Sequence, residues 1–187
     1  MLPRRPRLKN FSYTGRYRYF LTFCTFDRSR IFVSDKAVAL MWSQILRASA
    51  ECAFNIIAHV AMPDHLHVLV EAMADGSDLK RFASLAKQRS AFEYRRVTNR
   101  RLWQPSYYDH VLRDDESSLP FIRYIFENPV TAGLVQRCDD YPYLGAGPVP
   151  VPEMLRELNE AGVAVWQPAQ PCAVAALKGC ATGTGQP

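Results

Sequence analysis

The chain has 187 residues, 48% of them apolar, which is enough for the core of one domain of ordinary size and excludes a disordered polypeptide. Lysine and arginine outnumber aspartate and glutamate by 23 to 18, and the net charge of +5 favours a polyanionic partner. No run approaches the roughly 18 apolar residues of a membrane helix. The basic start has no apolar stretch behind it, so it does not read as a secretory signal. The five scattered cysteines lack Cys-x-x-Cys spacing, which argues against a disulfide framework or cysteine zinc site and for a reducing cytoplasm.

Residues 1–15 form a basic, aromatic arm that ends at Gly15. From Arg16 to Phe26 the pattern alternates as in a strand, with Tyr17, Tyr19, Leu21 and Phe23 on one face. Ser34 is a fitting N-cap for a helix that runs to about Ala53, with Val38, Met41, Trp42, Ile45 and Leu46 as its apolar stripe. A second strand, from Asn55 to Ala61, is broken by Met62-Pro63-Asp64, and a third runs from His65 to Glu71. Gly76-Ser77-Asp78 caps a long helix from Leu79 to about Val97. A strand near Tyr108 to Arg113 follows. Ser118 then opens a helix from Leu119 to about Asn128, with Pro120 tolerated in its first turn.

That order, β-α-β-β-α-β plus one helix, is the split βαβ, ferredoxin-like pattern of an α+β fold, with an antiparallel sheet and its helices on one face. The domain spans residues 16–145. Residues 146–187 form a Pro/Gly-rich C-terminal extension, expected to be partly flexible, with a short helical candidate over 153–161.

The most informative residues are His65 and His67. On a strand, positions i and i+2 point to the same face, so both imidazoles converge as a two-nitrogen grip on a metal ion. Tyr124 and Asn128, four apart on a helix, share a face in the same way. Each feature has an ordinary explanation: histidine pairs occur on half-buried strands, tyrosines pack in helices, and Asn before Pro commonly ends a helix. Their co-occurrence in a basic chain, together with the family resemblance carried by the segments given below, shifts the balance to phosphodiester cleavage by a tyrosine nucleophile beside a metal ion.

The strongest charge run is 80–101, where Lys80, Arg81, Lys87, Arg89, Arg95, Arg96, Arg100 and Arg101 face a single acid, Glu93. A solvated helix face normally mixes signs. With Arg4, Arg5, Arg7 and Lys9 of the arm, this run reads as a phosphate-binding surface. Tyr94, Trp103, Tyr107 and Tyr108 are candidates for stacking on unpaired bases and equally for the core.

Three segments together carry a family resemblance. They are Met62-Pro-Asp-His-Leu-His-Val-Leu-Val70, Leu102-Trp-Gln-Pro-Ser-Tyr-Tyr-Asp-His110 and Tyr124-Ile-Phe-Glu-Asn-Pro-Val130-Thr-Ala-Gly-Leu-Val135. Over residues 3–145 the chain resembles the REP-associated tyrosine transposases, bacterial relatives of the single-tyrosine HUH transposases of small insertion sequences. The resemblance implies His65 and His67 as the metal-binding pair, Tyr124 as the nucleophile and Asn128 at a metal-ligand position. It implies single-stranded DNA as substrate, cleaved and rejoined through a 5′-phosphotyrosine, with Mg²⁺ or Mn²⁺ as cofactor. It also implies REP-type palindromic hairpins as partners, a monomer rather than a dimer, and a nucleoid-associated place in the cytoplasm. Two other classes stay open: a non-catalytic nucleic-acid-binding module, and a metal-dependent hydrolase that uses water.

Overall fold

Alternation along the first strand divides its side chains between two cores. Tyr19, Leu21 and Phe23 join one cluster of buried residues, and Phe20 joins a second on the other side of the sheet. The computed structural model describes residues 11–113, 115–147 and 149–167. Arg4, Arg5, Arg7 and Lys9 of the basic arm lie outside them.

The elements are β1 (Arg18–Cys24), α1 (Asp35–Glu51), β2 (Phe54–Met62), β3 (His65–Ala72), α2 (Leu79–Thr98), β4 (Tyr108–Leu112), α3 (Leu119–Thr131), β5 (Leu144–Ala146) and α4 (Val151–Glu160). The strands form one five-stranded sheet in the order β4-β1-β3-β2-β5, with every neighbouring pair antiparallel. The first four strands with α1 and α2 give the expected ferredoxin-like arrangement, and β3 lies between β1 and β2 at its centre.

Helix starts follow the caps in the sequence. Ser34 Oγ accepts from the Ala37 amide, and Asp78 Oδ1 accepts from those of Lys80 and Arg81. Asn99, in the left-handed region at φ 56°, ends α2. Ser118 begins α3 without a side-chain cap; its Oγ accepts from Arg18 instead, at 2.7 Å, which ties the helix start to β1.

Three expectations need correction. The helices occupy both faces of the sheet: α1 and α2 cover one, while Phe121, Ile122, Ile125 and Phe126 of α3 and Leu158 of α4 pack on the other. A bulge at Ile57 helps, because it shifts Ala58 and Val60 onto the α3 face while Phe54 and Ile56 stay on the α1 face. On α1, Leu46 is 46% exposed; the buried residues are Met41, Ile45, Ala48 and Ser49. Finally, α3 does not stop at Asn128. It continues through Pro129 to Thr131, and Gly133 ends it at φ 67°, with the Leu134 amide bonded to Pro129 O and the Gly133 amide to Val130 O.

The chain from β5 onward contributes more order than its composition announces. β5 pairs with the outer edge of β2, where Gly145 faces His59 so closely that a Cβ would meet the imidazole ring. Val151, Met154, Leu155, Val163 and Trp166 pack against the second core.

Candidate metal and nucleophile site

His65 and His67 stand on the α3 face of the central strand, each 1% exposed. Their Nε2 atoms lie 3.1 Å apart. The far nitrogen of each ring is also engaged: Nδ1 of His65 with Asp64 Oδ1 at 2.6 Å, and Nδ1 of His67 with Thr22 Oγ1 at 2.8 Å. Thr22 is the residue of β1 paired with His67, so the sheet register supplies that contact. Asp64 in turn accepts from Arg28 Nε at 2.9 Å. Burial lowers both imidazole pKa values, against the opposing pull of Asp64 on His65 and of Asn128 on His67. Both rings therefore stay neutral below the usual histidine range, which is the form able to ligate a cation.

Two imidazole nitrogens on one ion at about 2.1 Å lie roughly 3.0–3.4 Å apart, and the observed pair fits that spacing. Among the described residues no three His, Cys, Asp or Glu side chains come together as a metal cluster, so further ligands have to come from other groups. Asn128 stands beside His67. Its Nδ2 donates to the Tyr124 carbonyl at 2.6 Å, and its Oδ1 is the atom able to ligate.

Tyr124 lies one turn before Asn128 on α3, partly exposed. Its ring meets that of His67 edge-on, with centroids 5.4 Å apart, and also touches Phe20 and Trp166 at 5.7 and 5.3 Å. The strand pair and the helix pair, 59 positions apart, thus share one location on the sheet.

Sequence reasoning missed four neighbours of this site: Thr22, Arg28, Asp64 and Trp166. The register with β1 is a tertiary fact, and Asp64 stood within the quoted motif as a strand breaker. Trp166 had no signal at all. It stacks on Phe121 at 4.6 Å, approaches Phe20 and His110 at 5.1 and 5.6 Å, and its amide donates to Pro120 O. His59 points to the other face and stacks on Trp42 with centroids 3.7 Å apart. His110 pairs with Glu116.

The basic run divides by environment. Lys80, Arg81, Arg95 and Arg96 of α2 lie towards solvent, with Lys80 also set over the Tyr13 ring at 5.1 Å. Arg81 and Arg89 both bond Glu51 of α1, and Arg96 bonds Glu93. The run therefore meets a second acid that linear reading could not see. Lys87 is a correction: its ammonium donates to the carbonyls of Gln104 and Ser106, and burial lowers its pKa to about 8. It holds a loop rather than offering charge to a phosphate. Trp103 is also not a stacking platform. It is buried against Phe23 and Phe32, and its Nε1 donates to Ser90 Oγ at 2.8 Å. The Trp-Gln-Pro segment binds the loop to the end of β1, through Phe26 N to Leu102 O and Gln104 N to Cys24 O.

The family model described as IS200-like transposase matches residues 13–128, and the chain belongs to that family. A candidate REP-associated tyrosine transposase of Haemophilus influenzae is 27% identical over 136 residues, which is 67% of this chain and 77% of that protein. The REP-associated tyrosine transposase of Escherichia coli K12 is 28% identical over 101 residues, 53% of this chain and 58% of that one. Among solved structures, a REP-associated tyrosine transposase bound to a REP hairpin superposes with a TM-score of 0.61 at 20% identity, over 75% of this chain and 82% of the other.

Proposed function

We propose that this protein cleaves and rejoins single-stranded DNA at REP-type hairpins, with Tyr124 as nucleophile. The observation that carries the reading is the meeting of the Tyr124 ring with the His65–His67 pair, whose Nε2 atoms face each other at 3.1 Å. The Tyr124 oxygen attacks the scissile phosphorus, the bond to the 3′ oxygen breaks, and a 5′-phosphotyrosine keeps the energy of the broken bond for rejoining. His65, His67 and Asn128 would hold the cofactor, Mg²⁺ or Mn²⁺. When bound, the cation offers Lewis-acid polarisation of a phosphate oxygen and a template for the leaving group. Trp166, Phe20 and His67 confine the tyrosine ring on its helix, which keeps the attacking oxygen from wandering.

The hairpin would lie on the basic face of α2, through Lys80, Arg81, Arg95 and Arg96, as contacts to phosphate that carry no sequence information. The relatives named for REP sequences support the choice of substrate. The protein would act as a monomer near the bacterial chromosome in the cytoplasm.

The deciding experiment is covalent capture of end-labelled REP hairpin DNA with Mn²⁺. Wild-type protein should form a labelled adduct that survives denaturation, and mass spectrometry should place it on Tyr124. Tyr124→Phe should keep the fold and DNA affinity while losing the adduct, and His65→Ala or His67→Ala should lose cleavage while still binding. Cut but unlinked DNA would make the protein a hydrolase; binding without cutting would make it a recognition module.

A further inference from the structure

Asp64 occupies the tight turn between β2 and β3, and both its backbone and its side chain are tied down. Its carbonyl accepts from Thr25 N at 3.0 Å and Thr25 Oγ1 at 2.9 Å, and that of Pro63 accepts from the amides of Ile31 and Phe32. The carboxylate is shared between two partners, His65 Nδ1 on Oδ1 at 2.6 Å and Arg28 Nε on Oδ2 at 2.9 Å. Arg28 also donates through Nη1 to Cys24 Sγ at 2.9 Å.

The loop that delivers Arg28 is strained. Asp27 and Arg28 have φ of 51° and 54°, a left-handed pair without glycine. Such conformations are unfavourable for residues that carry a side chain and persist where the surroundings over-determine them.

An ionised carboxylate only accepts hydrogen bonds, so the nitrogen of His65 that faces Asp64 must carry the proton. In the neutral ring the other nitrogen, Nε2, is then bare. Nothing comparable binds His67, because the Thr22 hydroxyl can either give or take a proton. The control is therefore on His65 alone.

We propose that Asp64 and Arg28 are positioning residues of the imidazole pair: Asp64 keeps the His65 proton on Nδ1 with the Nε2 lone pair turned to His67, and Arg28 holds Asp64 in the rotamer that does so. The inference rests on the reading of the pair as a cation site. Outer partners of ligating histidines commonly change metal affinity by roughly 10–100-fold when removed.

The test has two readouts on the full chain. Long-range ¹H–¹⁵N correlation of the metal-free protein should show His65 as the Nδ1–H tautomer, and Asp64→Ala should turn it into a mixture. Mn²⁺ titration followed by electron paramagnetic resonance should show affinity falling roughly 10–100-fold in Asp64→Ala. Arg28→Gln should give a smaller loss, and Arg28→Lys should recover part of it. Asp64→Asn, isosteric and still able to accept through Oδ1, should lie between wild type and alanine, and serves if the alanine variant fails to fold. A folded Asp64→Ala with unchanged His65 tautomer and Mn²⁺ affinity within twofold of wild type would overturn the inference. If wild-type protein binds no Mn²⁺, the cation reading falls on its own, and the tautomer comparison alone then decides what Asp64 does.

Discussion

At the scale of single residues, burial sets the protonation of His59, His65 and His67, and His59 makes the effect measurable away from the site. Its ring lies between Trp42 and Gly145, and desolvation lowers its pKa from 6.5 to about 4. The unfolded chain binds this proton as pH falls through 6.5, while the folded chain does so only near 4. Stability should therefore fall with decreasing pH across that window, by up to about 3 kcal/mol. Urea unfolding of wild type and His59→Gln at pH 7 and pH 4.5 checks this, since the difference between the two pH values should shrink in the variant. The same histidine explains Gly145: Gly145→Ala places a methyl group against the ring and should destabilise the β2–β5 pairing.

Whole elements are held by a few tertiary ties. The start of α3 is fixed to β1 by Arg18, whose guanidinium reaches Ser118 Oγ and Glu116 O. Trp166, from the chain after α4, packs where α3 meets the sheet, against Phe121 and Tyr124 of the helix and Phe20 of β1. Trp166→Ala should cost about 2 kcal/mol, less than a fully buried tryptophan because the ring is partly exposed. That corresponds to a fall of roughly 4–8 °C in Tm for a chain of this size, with the loss concentrated in amide protection of α3. Calorimetry and hydrogen exchange would measure both. An unchanged Tm would mean that this segment only rests on the helix. Helix α2 depends on a simpler device: Asp78 caps two of its amides, and Asp78→Ala should cost about 1 kcal/mol.

For the molecule as a whole, the charge on α2 decides how a polyanion would meet it. Arg95 is exposed and makes no ion pair among the described residues, whereas Arg81 and Arg89 share Glu51 and Arg96 has Glu93. Arg95→Ala should weaken hairpin binding and reduce the slope of log affinity against log salt by about 1. Lys87→Ala should leave that slope unchanged and lower stability, since its ammonium serves the carbonyls of Gln104 and Ser106. Fluorescence anisotropy over a salt series separates the two; a Lys87 effect on the slope equal to that of Arg95 would return Lys87 to the DNA surface.

By itself the sequence determined the features that depend on neighbours along the chain. Period-two alternation located the first strand and the apolar runs after it three more, caps at Ser34 and Asp78 located two helix starts, and spacings of two and four placed His65 with His67 and Tyr124 with Asn128. Those spacings are local geometry and follow from backbone repeats. What lies between distant segments was decided only by the tertiary structure. The register Thr22↔His67, the union of the strand pair with the helix pair, the capture of Lys87 by a loop and the return of Trp166 over α3 are examples. Each depends on which surfaces bury one another, and a lysine or tryptophan carries no mark in its own neighbourhood of whether it will meet solvent, a carbonyl or another ring.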